Sequence, residues 1–280
     1  MHVNAADFYE RAERHLLRHE ACHSLMLGIA GQLVEHPKLF REEPYLATVE
    51  ERGEVIAAAL MTPPHNPVLS LGFTQEGLWL LAEDLHRSYP TLPGVLGPVD
   101  AARSFAETWK DLSGQPYRIK RDQRVHRLEK VIPVAGVPGS LRRATEADRD
   151  LLTEWFVAFG KEALDEATDP EAAAQSVNAY LTTEGMGLYL WEDEEPVSMA
   201  GRSRPTPNGT TVNYVYTPPE HRKHGYASAC VAVLSQLLLD EGYRYCFLFT
   251  DLANPTSNRI YNAIGYKPVC DVGEYEFGHI

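Results

Sequence analysis

Four residues in a row that can carry positive charge, His221-Arg222-Lys223-His224, run into Gly225, Tyr226 and Ala227 in an otherwise acidic chain. Arg222, Gly225 and Ala227 stand at the spacing R-x-x-G-x-A. These residue types suit an anion. A glycine lets the backbone turn tightly, and small residues let an anion approach the first, unpaired N–H groups of a following helix. The helix dipole adds partial positive charge at the same point, and Arg222 and Lys223 add full charges. The combination reads as a cradle for a pyrophosphate. It is not a P-loop, because G-x-x-x-x-G-K-[ST] is absent, and not the dinucleotide fingerprint, because G-x-G-x-x-G is absent.

Such a loop needs a strand before it and a helix after it. Residues 210–216 read as a strand that stops at the pair Pro218-Pro219. An apolar helix is predicted over 227–241, stopped by Gly242. Strands are expected at 187–192 and 197–203, with Asn208-Gly209 as a hairpin signal before the third. A strand over 245–250, a helix over 255–264 ended by Gly265, and a strand around 275–277 complete this half. Upstream, Thr145 with Asp148 three residues later resembles a capping box. Leu151, Leu152, Trp155, Phe156 and Phe159 then recur at helical spacing, and a second helical tract covers 170–181.

The first half repeats this order. Helical periodicity covers 7–35; strands follow at 45–50, 55–61 and 68–71, then a helix over 75–89, a strand over 94–97, a helix over 100–112 and a long strand over 117–134. The parallel argues for a tandem duplication. The Pro/Gly-containing stretch 134–139 is the boundary candidate, dividing the chain into domains 1–133 and 139–280. Where the first half should carry its basic loop it has Ser70-Leu-Gly-Phe-Thr-Gln-Glu-Gly77, without Lys or Arg and with a phosphate-repelling Glu76. Only the second half is expected to hold the anion.

Composition narrows the classes. With 26 basic and 39 acidic residues the net charge is −13, which disfavours nucleic-acid binding, and no run of about 18 apolar residues predicts a membrane span. No basic stretch followed by an apolar core opens the chain, so no signal peptide is read. Cys22, Cys230, Cys246 and Cys270 form no C-x-x-C pair. Cys230 and Cys246 sit in apolar patterns where a thiol behaves as a small core residue, so a cytoplasmic location is expected. His65 and His126 are isolated, and no metal site is predicted. G-x-S-x-G is also absent, which weakens a hydrolase reading.

Two motifs together carry a family resemblance. The stretch from Val215 to Ala227 is similar to V-x-P-x-x-[QR]-x-x-G-x-[GA], with Thr217 in the valine place. Asn254-Pro-Thr-Ser-Asn-Arg-Ile-Tyr-Asn-Ala-Ile-Gly-Tyr266 is similar to N-x-x-[AS]-x-x-x-Y-x-x-x-G-[FY]. Residues 139–280 thus resemble the GNAT superfamily of acyl-CoA-dependent N-acetyltransferases, and the whole chain resembles its tandem members with a degenerate N-terminal repeat. The resemblance implies an α/β (α+β) fold of two GNAT-like domains, each a mixed, mostly antiparallel sheet flanked by helices.

It also implies roles. Acetyl-CoA (or CoA) is the expected cofactor. Backbone groups of Val215, Tyr216 and Thr217 would pair with pantetheine amides. Arg222, Lys223, His224, Gly225, Tyr226 and Ala227 would hold the pyrophosphate. Asn254, with Ser257 in the motif's small-residue place, would lie near the thioester, and Tyr261 would protonate the departing thiolate. An amine attacking a thioester generates an oxyanion that a strand N–H can stabilise, and a phenol with an ordinary pKa near 10 is protonated at neutral pH. The central strand, residues 210–216, carries no glutamate, so the amine's proton must leave through an ordered water or an acid from elsewhere, such as Glu162 or Glu184. The acidic run 161–171 would suit a cationic acceptor.

The expected activity is transfer of an acetyl group to an amine of a small molecule or peptide, by a monomer or homodimer without nucleic-acid or membrane partners. The alternatives are a non-catalytic acyl-CoA sensor, or an acyltransferase of the same fold with another acyl group or acceptor.

Overall fold

The computed structural model describes residues 1–2, 4–40 and 42–278 and divides the chain into two compact units. One comprises residues 1–126, 249–255 and 268–280; the other comprises 127–248 and 256–267. The stretch 134–139 lies inside the second unit, and the last strand of the chain returns to the first.

The first unit opens with α1 (Ala5–Leu17) and α2 (Ser24–Glu35). Asn4 caps α1 by accepting from the Asp7 N–H at 2.9 Å. Helical periodicity covers 7–35, and within that tract the chain turns at 18–23. The pattern conceals the break because both helices bury their apolar faces in one core, with Phe8, Leu16, Met26, Leu27 and Leu33 among its members. No Pro or Gly marks the turn. His23 holds it by donating from Nδ1 to the Leu16 carbonyl at 2.8 Å.

The sheet of this unit runs β1 (Tyr45–Glu51), β2 (Glu54–Met61), β3 (Val68–Leu69), β4 (Gly94–Pro98), β11 (Lys267–Phe277), β5 (Tyr117–Leu128). Its second face packs on α3 (Gln75–Ser88) and α4 (Val99–Ser113). Strand periodicity sorts the side chains: in β2, Ala58 and Leu60 join the core under α1 and α2, while Ala59 and Met61 join the core under α3 and α4. β11 pairs antiparallel with β4, Val272 to Glu276 against Pro98 to Gly94, and starts well before the expected 275. Cys22 and Cys270 are joined in a disulfide within this unit.

The second unit repeats the three-layer plan. Its strands run β10 (Tyr245–Asp251), β9 (Gly209–Tyr216), β8 (Glu195–Ser203), β7 (Gly187–Asp193), β6 (Ser140–Arg143). One face carries α5 (Arg149–Ala163) and α6 (Pro170–Thr182), and the other carries α7 (Tyr226–Asp240) and α8 (Pro255–Ile264). Leu188 and Leu190 of β7 point to the first pair and Tyr189 and Trp191 to the second. A strand buried on both faces has to be apolar, as this one is over its buried residues 187–191. Among the described residues no helix is long and apolar enough to cross a membrane, and no group of three His, Cys, Asp or Glu could hold a metal ion.

Candidate anion cradle and acyl-transfer site

β9 carries two irregularities that matter for chemistry. It pairs in parallel with β10 only at 209–211, against 245–247, so its far end leaves that neighbour. On its other side the register with β8 slips between Met199 and Gly201, which face Tyr216 and Asn213. Tyr214 and Val215 therefore stand opposite the single residue Ala200, and Tyr214 takes φ 47°. A bulge of this kind unpairs backbone groups and re-aims the strand. Val215 is half-buried against the α7 core. Tyr216 is buried, its ring near Trp155 (centroids 6.1 Å) and its hydroxyl donating to Glu162 at 3.0 Å. Ser198 donates to the Tyr216 carbonyl at 3.0 Å and lies 2.8 Å from the Thr217 hydroxyl.

Beyond β9 the chain makes a short 3-10 turn, Pro219–His221, and then the loop. Lys223 (φ 69°) and Gly225 (φ 86°) are both left-handed, a conformation glycine adopts freely and lysine does not. Gly225 is the N-cap of α7 and brings no side chain to it; no acidic residue lies in the first turn. The first helical bond is Ala229 N–H to the Gly225 carbonyl at 3.0 Å, so the N–H groups of Tyr226, Ala227 and Ser228 lack an intrahelical acceptor. A Cβ at Gly225 would also press to 3.0 Å of Val137. These features fit a diphosphate: open amides, a positive helix end and no carboxylate in the first turn.

The four basic residues are not equivalent. Arg222 donates from Nε to the Thr217 carbonyl at 2.9 Å, is ion-paired to Glu162, and lies 5.9 Å from the Tyr216 ring centre. His221 is 3.8 Å from Glu195. The His224 ring stacks on Tyr226 (5.6 Å), whose hydroxyl donates to Asp193 at 2.6 Å. Lys223 is exposed and has no ion pair among the described residues.

The corresponding loop of the first unit is built differently. The Leu71 N–H donates to His23 Nε2 at 2.9 Å, and Thr74 caps α3 by accepting from Gly77 N–H at 3.1 Å, with Glu76 in the first turn. Two amides are consumed and a carboxylate stands where an anion would come.

Tyr261 lies on α8, 9% exposed, among Cys230, Ile264 and Tyr266. Burial pushes its phenol well above the ordinary tyrosine value. Ser257 is half-buried on the same helix. Asn254 belongs to the segment 249–255 of the first unit, where its N–H donates to the Asp251 carbonyl at 3.1 Å. The hydrogen bond and charge of Arg222 hold the Glu162 carboxyl below its ordinary range, which makes it a poor base, and Glu184 is exposed in the turn before β7. Glu162's place beside Arg222 had no signal in the sequence. Asp169, in the acidic run, caps α6 by accepting from Ala172 N–H at 2.9 Å.

Residues 148–266 match the model of the acetyltransferase (GNAT) family. A GCN5-related N-acetyltransferase from Kribbella flavida is similar in structure, with a TM-score of 0.62 and 15% identity over 90% of this chain and 95% of that one. Another from Sphaerobacter thermophilus gives 0.62 and 18% over 98% and 93%. A tandem GNAT protein from the clavulanic acid biosynthesis pathway gives 0.58 and 15% over 99% and 96%. No curated protein matches the chain. The GNAT resemblance read from 139–280 is borne out, and the fold is that of two tandem GNAT-like units. For residues 148–266 the match is to the acetyltransferase (GNAT) family, and for the chain as a whole the similar structures share the fold.

Proposed function

We propose that this chain, with its GNAT domain over residues 148–266, moves an acetyl group from acetyl-CoA to an amine of a small molecule or peptide by direct attack. The observation that carries the reading is the uncapped N-terminus of α7 behind left-handed Gly225, beside a β9 that has left its neighbour. Bound acetyl-CoA supplies an activated thioester. The amides from Lys223 through Ala227 hold its diphosphate, that of Arg222 being donated to the Pro219 carbonyl at 3.3 Å, and the backbone of Val215, Tyr216 and Thr217 orients the pantetheine arm. Tyr261 keeps its proton across the neutral range and gives it to the departing thiolate. With no carboxylate on β9, the proton of the attacking amine leaves to water. Of the two corresponding loops, only that of the second unit takes the diphosphate.

Calorimetric titration of coenzyme A tests the cradle, and free-thiol release with a panel of amines tests transfer. Glu76→Lys in the first unit should leave coenzyme affinity unchanged, because the amides there are already engaged. Absence of binding by the folded protein would end the proposal. The near-complete burial of Tyr261 favours one second reading, an acyl-CoA sensor. Binding without thiol release for any acceptor would select it.

A further inference from the structure

The sequence places Arg222 in the cradle as a charge for the anion, yet its side chain is spent elsewhere. Nε donates to the Thr217 carbonyl at 2.9 Å, Nη2 is bonded to Glu162 Oε2, and the guanidinium carbon lies 5.9 Å from the Tyr216 ring centre. Glu162 Oε1 accepts from the Tyr216 hydroxyl at 3.0 Å. One carboxylate on α5 thus gathers the end of β9 and the start of the loop, and it cancels the arginine's charge. An isolated pair with side chains 45% and 35% exposed contributes little to stability. Here the arginine is fixed at three points, and the planar fork of a guanidinium loses most of its freedom when held so.

The backbone just after Arg222 is the strained part of the loop. Lys223 sits at φ 69° without being glycine, and Gly225 at φ 86°, so two left-handed residues lie within three positions. A non-glycine residue persists there only when its surroundings over-determine it. The last fixed point before Lys223 is the Arg222 side chain.

We propose that Glu162 and Arg222 are a positioning pair: a strut that holds the backbone of 222–225 in its anion-facing shape, with the Arg222 side chain not itself contacting the anion. This rests on the reading of the loop as a coenzyme cradle. The two roles differ in sign. Glu162→Ala leaves Arg222 charged and makes the loop more positive. An arginine acting as an anion ligand would then bind coenzyme A more tightly. A strut that has lost its anchor binds it more weakly, by roughly five- to tenfold, or about 1–1.4 kcal/mol.

The experiment uses the full chain, coenzyme A as the probe, and two readouts: the calorimetric Kd, and amide hydrogen exchange of 222–227 without ligand. Glu162→Ala should weaken binding and speed exchange, and Tyr216→Phe should do both to a smaller degree. The swap Glu162→Arg with Arg222→Glu should recover at least about threefold over Arg222→Glu alone, as coupled partners do in a double-mutant cycle. Equal or tighter binding by Glu162→Ala, unchanged loop exchange, or a swap no better than Arg222→Glu would overturn the strut. If the wild-type chain binds no coenzyme A, the cradle fails, and exchange in the ligand-free protein still decides the strut.

Discussion

A phenol serves as a proton donor only while it keeps its proton. Burial secures this at Tyr261, since ionising it inside the α7–α8 core would strand a charge in apolar surroundings. A raised phenol pKa extends the protonated form to higher pH, so Tyr261 adds no alkaline limb to the rate profile near neutrality. Tyr261→Phe should lower kcat by about 10²-fold, the size of a general-acid contribution, and leave coenzyme affinity within about twofold. Steady-state kinetics alongside titration checks this, and equal turnover with chemistry limiting would remove the acid role. Residue type and spacing single out Arg222 and Gly225 in the sequence, and the motif that 254–266 resembles singles out Tyr261. Glu162 was not, because its meaning comes from a guanidinium that only the folded chain brings to it.

Among the elements, α5 shows how local chemistry starts a helix. Thr145 and Asp148 form the capping box read from their spacing, over a short 3-10 turn that leads into α5. The structure adds Arg142 of β6, which donates to both Asp148 oxygens at 2.8 Å. Hydrogen bonds from Arg142 and the Thr145 N–H hold the Asp148 carboxyl down at about 2, against an ordinary 3.8. A depressed carboxylate stabilises the fold above its unfolded value and loses that contribution as pH falls through the folded one. Asp148→Asn should therefore cost about 1–2 kcal/mol at neutral pH. In urea unfolding the gap between variant and wild type should close from just below pH 3.8 down to about 2. A gap independent of pH would show that the charge is not what matters. The turn between α1 and α2 was illegible for the opposite reason: its cause, His23 held by Leu16 and Leu71, lies in long-range packing rather than in a breaker residue.

At the scale of the molecule, the two units share out the chain unevenly, the first taking back 249–255 and 268–280. β11, the last strand, pairs with β4 of the first half, and the Cys22–Cys270 bond ties the α1–α2 turn to that same strand. Cys230 and Cys246 stay free, and burial pushes both thiols up to about 12, which keeps them unreactive in the folded protein. Thiol titration without reductant should accordingly find two groups in denaturant and almost none before unfolding. Four groups in denaturant would mean that the Cys22–Cys270 bond does not form in solution.

Sequence by itself determined what neighbours decide: alternation and helical period, the capping box, the glycine that frees the amides of α7, and the repeated order of elements that marks a tandem chain. Tertiary structure decided what distant partners decide: β11 joining β4, the bulge that sets Tyr214 against β8, His23 occupying the amide of the first unit's loop, and Glu162 bracing Arg222. The division has a physical cause. Backbone preferences act over a few residues and leave a periodic trace, whereas a pairing across 60 or 248 positions leaves none until packing brings the two ends into reach.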